Sequence, residues 1–219
     1  MRYDLGYAIR AMIVMIVAAA LFAVLGVQVV HFGEPAALSA WEHSLVGHST
    51  LIAWWLTWSC YVQVMVPIAV ILLIVAWLAP EWRVRIVFSV AMLLLCWRGA
   101  DLFQHLFARP RRLDWVVKHE TAFSYPSSHA AIATGFYGLW ALMLYISELP
   151  IATRKMGAAL LALFAIAICW ARLALGAHYL TDLVGGALLA VALVSAGLSV
   201  VPHAISARQA AGRLYRSAE

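Results

Sequence analysis

Long apolar stretches separated by short polar connections occupy most of the chain. Six of these stretches approach the roughly 20 residues that a helical membrane span requires. They cover approximately residues 9–30, 51–79, 84–107, 129–147, 156–175 and 179–201. Pro67 in the second stretch predicts a kink or a tilt. Since no connection is long enough for a separate domain, the pattern predicts an all-α polytopic membrane protein, with residues 1–219 forming a single bundle of six transmembrane helices.

The composition supports a membrane location and excludes other classes of protein. Hydrophobic residues make up 65% of the chain and charged residues 11%, and the mean hydropathy is +0.91. A water-soluble domain of this size does not carry so much apolar material. The net charge of +5 includes no basic run that would bind nucleic acid. The first apolar stretch is too long for a signal-peptide core and is predicted to be retained as a span.

The positive charges predict the orientation of the bundle. With a cytoplasmic N-terminus and six spans, both termini are inside, and nine lysines and arginines lie inside against five outside. The segment 32–50, for which we predict a short interfacial helix, contains no lysine or arginine, as expected of an exported loop. The outside charges are concentrated in 108–128 and at Arg172. This clustering predicts a functional site on the extracytoplasmic face of the cell (inner) membrane.

Three polar motifs lie at the ends of predicted spans on that outer face. Arg-Pro-Arg-Arg at 109–112 follows the third span, and Pro-Ser-Ser-His at 126–129 precedes the fourth. Arg172, His178 and Asp182 join the fifth span to the sixth. Because charged groups are costly at membrane depth, such clusters are functional hypotheses by default.

The residue types in these motifs indicate phosphate chemistry. His178 and Asp182 are four residues apart, so on a helix the carboxylate can fix the imidazole tautomer and make one ring nitrogen a nucleophile. Arg172, across a turn at Gly176, can hold an anion beside that nitrogen. In the second motif, serine caps a helix start that can bind phosphate, and His129 projects next to it.

Taken together, the motifs resemble the signature of the type 2 phosphatidic acid phosphatase superfamily. That signature is a lysine, six residues and Arg-Pro; then Pro-Ser-Gly-His; then Ser-Arg, five residues, His, three residues and Asp. Here Arg109 begins the Arg-Pro pair, Ser128 replaces the glycine, Ala171 replaces the serine, and Leu102 stands at the lysine position. The resemblance covers roughly residues 98–190.

The resemblance implies a mechanism that needs no metal and no other cofactor. His178 attacks phosphorus to form a phosphohistidine, Asp182 orients it, and His129 protonates the leaving oxygen and then activates water. The phosphoryl oxygens are held by the remaining motif groups, namely Arg109, Arg172, Ser127 and Ser128. The carboxylates are also too few and too scattered along the sequence for a two-metal site.

The missing lysine leaves three candidates for its replacement. Arg98, Leu102, His105 and Arg109 share one face of the third predicted helix, so Arg98 or His105 can approach the position that the lysine would occupy. Lys118 can approach it from the loop.

The site's position at the membrane surface predicts a lipid phosphate or pyrophosphate of the outer leaflet as substrate. The family that the chain resembles includes bacterial enzymes that act on undecaprenyl pyrophosphate, phosphatidylglycerophosphate, phosphatidic acid or lipid A phosphates. Of these, undecaprenyl pyrophosphate is our first candidate for the substrate. A lipid phosphotransferase would use the same residues.

The alternative of another class is a non-catalytic transporter or scaffold whose polar residues join helices, with no opening to the site. If the protein is an enzyme, we expect a cavity that reaches the outer surface of the membrane and is lined by Arg109, His129 and His178. The oligomeric state is not predicted.

Overall fold

The computed structural model describes residues 5–113 and 122–216, with side chains described for residues 6–113 and 122–200. This part of the chain is helical and contains no strand, which confirms the predicted all-α class. The α-helices are α1 Leu5–Phe32, α2 Ala36–Leu45, α3 Thr50–Trp58, α4 Val62–Leu78, α5 Arg83–Phe107, α6 Ser128–Ile132, α7 Leu139–Tyr145, α8 Ile151–Ala174 and α9 Leu180–Arg216.

Four helices are long and apolar enough to cross a membrane. They are Gly6–Phe32, Arg83–Phe107, Ile151–Ala174 and Leu180–Val200. Helices α3 and α4 together qualify as a fifth span, although their axes differ by 42°. Large apolar side chains of α1, such as Ile16 and Val24, are more than half exposed, as expected of a helix that faces lipid. The described residues therefore supply four spans, or five with the bent pair.

The bend in the second apolar stretch does not lie where Pro67 predicted it. The helix breaks at residues 59–61, between α3 and α4, and α4 then continues through Pro67 without interruption. At the break, the Ser59 hydroxyl donates to the carbonyl oxygen of Leu56 at 2.6 Å. A serine bonded back to the preceding turn satisfies a terminal carbonyl there, so the local polar group, and not the proline, accompanies the bend.

The predicted fourth span, 129–147, is helical over residues 128–145 but changes its winding. A π-helical segment at Ala133–Gly138 joins α6 to α7. This stretch is buried along much of its length and packs against α5, α8 and α9. At Gly135 an added Cβ would overlap the Cys96 sulfur, so glycine permits the close approach of α5. The stretch therefore lies inside the bundle. Single π turns are frequent beside functional sites.

Helix α1 lies along α9 and braces the segment that precedes α6. The buried ring of Tyr125 stacks on Phe22 with centroids 5.5 Å apart, and its hydroxyl donates to the Phe22 carbonyl oxygen at 2.7 Å. The Tyr125–Pro126 peptide is cis. These contacts fix the entry to α6 against a helix that is far away in sequence.

Candidate active site

Polar side chains from four parts of the chain meet at one end of the bundle. The three predicted motifs follow α5, begin α6 and join α8 to α9, and they converge there with the segment that contains α2. Most of these polar side chains are buried. A set of buried charges from separate elements needs mutual partners, and the contacts below supply them.

His178 and Asp182 form the centre of this cluster. The Nδ1 atom of His178 lies 3.3 Å from Oδ2 of Asp182, and both side chains are fully buried. The same carboxylate oxygen accepts the Tyr179 N–H at 3.0 Å. The sequence placed both residues on one helix, whereas α9 begins only at Leu180. The pair therefore bridges the first turn of α9, with the histidine just outside the helix.

The other ring nitrogen of His178 faces an arginine. Nη1 of Arg111 lies 3.2 Å from Nε2 of His178. Since a guanidinium only donates hydrogen bonds, Nε2 is the acceptor, and the ring proton is assigned to Nδ1, towards Asp182. Arg111 also donates to the carbonyl oxygens of Ala122 at 2.6 Å and Ala177 at 3.1 Å. The contacts therefore favour the tautomer that leaves a lone pair on Nε2.

Arg109, predicted to bind phosphate, is directed elsewhere. Its guanidinium binds Oδ1 of Asp182 at 2.5 Å and Oε2 of Glu34 at 2.9 Å, and its Cζ atom lies 4.1 Å from the Tyr179 ring centroid. Burial disfavours its charge, but Asp182 and Glu34 outweigh that cost and raise the pKa of Arg109. In this arrangement Arg109 orients the carboxylate of Asp182.

Arg111 is the residue that the sequence analysis overlooked. Proline follows Arg109 as in the signature, whereas another arginine follows Arg111, so the sequence favoured Arg109 as the motif arginine. A second alignment, on Arg111, loses that proline but changes the residue at the lysine position. With Arg111 as the motif arginine, the lysine position becomes Gln104, which is buried and donates to the Pro126 carbonyl oxygen at 2.8 Å. The second alignment places a polar side chain beside the second motif, where the first places Leu102, a side chain 58% exposed.

The second motif begins α6 as predicted and is tied to α9. The Oγ atom of Ser127 accepts the Ala130 N–H at 3.4 Å, which caps the helix. The Ser127 N–H donates to the backbone carbonyl of Asp182 at 3.0 Å. Ser128 is the first residue of α6, and His129 is buried, with its ring edge-to-face against Tyr61 at 5.1 Å. The second and third motifs are thus joined through the backbone.

Arg172 occupies the last turn of α8 and is fully buried. Its carbonyl oxygen accepts the Ala177 N–H at 2.9 Å, and Gly176 in the intervening turn has φ +67°. That positive φ suits glycine. The turn carries the chain from Arg172 on α8 to His178 ahead of α9.

The suggested replacements for the missing lysine lie away from this cluster. Arg98 is exposed, with its guanidinium carbon 6.0 Å from the Trp97 ring centroid. His105 is also exposed, and its ring packs against Phe123 at 5.9 Å. Lys118 lies outside the described residues. The structure does not bring Arg98 or His105 to His178, because both project from the exposed side of α5.

Within the described part of the chain, two cavities border residues of the site. The first, here called the cleft, has a volume of about 260 Å³ and contains Ser128 and His129 at its polar end. The second, here called the vestibule, has a volume of about 480 Å³ and is lined by Ser39, His43, Arg111, Arg112, Leu113 and Tyr179. Neither of these two cavities is lined by Arg109 or His178. The Arg111 guanidinium lies against Nε2 of His178, and a cavity shared by Arg109, His129 and His178 stays a prediction.

Comparison with known proteins agrees with the motifs. A family model described as the PAP2 superfamily matches residues 82–206, more than half of the chain. The chain therefore belongs to the PAP2 superfamily, a family of membrane lipid phosphatases, and the resemblance inferred from its motifs is confirmed.

A solved structure shares the fold. It is described as the first transmembrane PAP2 type phosphatidylglycerolphosphate phosphatase from Bacillus subtilis. The match has a TM-score of 0.70 and 18% sequence identity, and it covers 87% of this chain and 96% of the other. No curated protein sequence matches the chain.

Proposed function

We propose that the protein is a metal-independent lipid phosphatase that cleaves a phosphomonoester or pyrophosphate through a phosphohistidine on His178. The observation that carries this proposal is the pair formed by His178 and Asp182, with Nδ1 turned to the carboxylate and Nε2 turned to Arg111. Phosphoryl transfer requires a placed nucleophile and donors for the equatorial oxygens, and this cluster offers both.

In the first step, Nε2 of His178 attacks phosphorus. The Nε2–P bond forms, the bond from phosphorus to the leaving oxygen breaks, and His129 gives its proton to that oxygen. The imidazole ring gains positive charge, which Asp182 stabilises. The guanidinium of Arg111 moves from Nε2 to the phosphoryl oxygens. Its N–H groups already point to the place where those oxygens develop negative charge.

In the second step, water cleaves the phosphoenzyme. His129, now deprotonated, takes a proton from water, the new oxygen bonds to phosphorus, and the Nε2–P bond breaks to release phosphate. Arg172 and the backbone near Ser127 and Ser128 complete the oxygen-binding set. With two arginines and helix-end donors neutralising the charge, we propose that no metal is required.

The cleft supports a lipid as the leaving group. Beyond His129 its walls are apolar, formed by side chains of α4 and α5 such as Val66, Leu94 and Trp97. These three side chains are also exposed on the apolar surface of the bundle. A hydrocarbon chain can therefore extend from His129 into the bilayer between α4 and α5. A water-soluble phosphate ester has no need of such a wall.

We further propose six spans, with both termini cytoplasmic and the site facing the outer leaflet of the cell (inner) membrane. The charge asymmetry of the connections and the convergence of the motifs at one end of the bundle support this arrangement. Undecaprenyl pyrophosphate remains our first candidate substrate. The structural relative brings phosphatidylglycerophosphate into the comparison, together with phosphatidic acid and lipid A phosphates.

The test is phosphate release from a panel of these four lipids in detergent, with excess EDTA present. The wild-type protein should release phosphate, and His178→Ala should release none while remaining monodisperse and folded. His105→Ala, an exposed histidine, is the matched control and should behave as wild type. Rapid quenching with radiolabelled lipid should trap an acid-labile, base-stable phosphoenzyme that is missing from His178→Ala.

Two outcomes would overturn the proposal. Turnover by His178→Ala at the wild-type rate would refute the assignment of His178 as the nucleophile. Activity that is lost in EDTA and restored by zinc or magnesium would refute the metal-free mechanism. Release from none of the panel lipids would favour the non-catalytic alternative. Label passed to an added acceptor lipid instead of to water would identify a phosphotransferase with the same residues.

A further inference from the structure

Three consecutive backbone N–H groups at the start of α9 are each bound by a carboxylate. Residues 179–181 donate them in order to Asp182 at 3.0 Å, Glu42 at 2.7 Å and Glu34 at 3.5 Å. The first N–H groups of a helix have no partner within it, and they carry partial positive charge. Two of the three carboxylates come from the segment before α3, about 140 residues away in sequence.

The same two glutamates also hold arginines of the first motif. Glu34 binds Arg109 at 2.9 Å and accepts the Thr181 hydroxyl at 2.5 Å, while Glu42 binds Arg112 at 2.5 Å. Each glutamate thus joins the start of α9 to the segment after α5. We call Glu34 and Glu42 together the carboxylate clamp.

The burial of Glu42 is unusual for its helix. Glu42 is the only residue of α2 that is buried, and it has no exposed surface. Trp41 beside it is about half exposed. A surface helix normally buries an apolar stripe, and a buried carboxylate costs free energy unless it is paired. Helix α2 therefore contacts the site through a buried charge as well as through Leu45, which packs against a core cluster that includes Ala130 and Leu183.

We propose, on the basis of the proposed function, that Glu34 and Glu42 are positioning residues for phosphoryl transfer. They fix the first turn of α9 and the arginine segment against each other. Nε2 of His178, just before that turn, is thereby held towards the phosphoryl position beside Arg111. Neither glutamate contacts the reacting nitrogen in the structure, so they act through α9 and the arginines.

The charges around Glu42 oppose one another. Burial, the largest effect, and the nearby Glu34 raise the pKa of Glu42 to about 7, against the Leu180 N–H and Arg112, which lower it. His43 and Tyr179 also face Arg112. As pH falls through about 7, Glu42 loses the charge that holds Arg112. The folded state binds this proton more tightly than the unfolded state, so the contribution of Glu42 to stability grows as pH falls from 7 towards 4.5.

The test uses Glu34→Gln and Glu42→Gln in the full-length protein, with Glu81→Gln, an exposed glutamate, as the charge-matched control. The substrate is whichever of the four panel lipids the wild-type protein cleaves fastest. We expect kcat to fall about ten-fold or more in each clamp variant, since misplaced reacting groups lose rate, with KM changed by less than about two-fold. Amide exchange at residues 179–181 should accelerate, and the acid limb of kcat near pH 7 should be altered in Glu42→Gln.

Thr181→Val provides a milder second variant, because it leaves both clamp carboxylates in place and nearly preserves side-chain shape. It removes the hydrogen bond that Thr181 donates to Glu34 and the one that it accepts from Arg109 at 2.8 Å. It should lower kcat several-fold with little change in Tm. Clamp variants that lose Tm but keep wild-type kcat per folded molecule would show a merely structural role and overturn the inference. If His178→Ala is inactive while all three variants keep wild-type kcat and pH profile, the clamp fails and the proposed function stands. If His178→Ala remains active, the proposed function itself fails.

Discussion

Replacing Gly186 with alanine should push apart α6, which carries His129, and α9, which carries Asp182. At this position α6 and α9 meet backbone to backbone. An added Cβ would overlap the carbonyl oxygen of Ser127 and lie 3.0 Å from both the Ala130 Cβ and the Ala131 nitrogen. No flexible side chain is available to move aside, because the nearest obstacle is backbone. The helices themselves must shift.

The size of the effect follows from this contact. Restoring ordinary van der Waals distance requires a separation of about 1 Å, and overpacking of this kind costs about 1–3 kcal/mol of stability. The shift also strains the hydrogen bond from the Ser127 N–H to the Asp182 carbonyl. His129 lies on α6 and Asp182 on α9, so the acid moves relative to the nucleophile. A misplacement of about 1 Å can lower kcat about 100-fold.

The assay is kcat for phosphate release per folded molecule, with Tm measured on the same preparation. Gly99→Ala is the matched control, since its Cβ would meet Leu193 Cδ1 at an ordinary 3.6 Å. Within a helix that change should be neutral or stabilising by up to about 1 kcal/mol. Wild-type kcat in Gly186→Ala would refute the reasoning. An equal loss in Gly99→Ala would show that any added methyl group in the bundle suffices.

Two further predictions concern the arginine assignment and the topology. Arg111→Ala should lower kcat/KM about 100-fold or more, as loss of a charge-stabilising donor does, while Arg98→Ala should stay within about two-fold; the reverse order would restore Arg98 as the substitute for the lysine. In a variant without its native cysteines, Leu113→Cys should react with an impermeant thiol reagent on intact cells and Ala152→Cys should not. Labelling of position 152 would invert the proposed orientation.

The sequence predicts the helical class well because both of its signals are local. Apolar stretches of span length need no knowledge of partners, and five of the six predicted stretches meet the criteria for a span once α3 and α4 are taken together. The remaining stretch, 129–147, is helical but is divided by a π-helical segment. The segment packs closely against α5 at Gly135, a contact that spacing along the chain does not reveal.

Within the site, short-range pairs were predictable and long-range partners were not. His178 and Asp182 contact each other because four residues around a helix start bring them together. The orientation of Arg109, by contrast, depends on Glu34, a residue 75 positions away in the segment 32–50, for which the sequence predicted only a short interfacial helix. The sequence favoured Arg109 as the motif arginine because proline follows it, whereas the fold turns the Arg111 guanidinium towards Nε2 of His178.

The cleft and the vestibule have a consequence for the direction of the reaction. In the proposed reaction the lipid product leaves beside His129, at the polar end of the cleft. Arg111 faces the vestibule, which is lined mostly by polar and charged residues. In the proposed reaction, one product therefore dissolves in the bilayer and the other in water. Because the two products are diluted into different phases, they rarely meet again at the enzyme. The separation of the products into two phases therefore suppresses the reverse reaction, in addition to the free energy of hydrolysis.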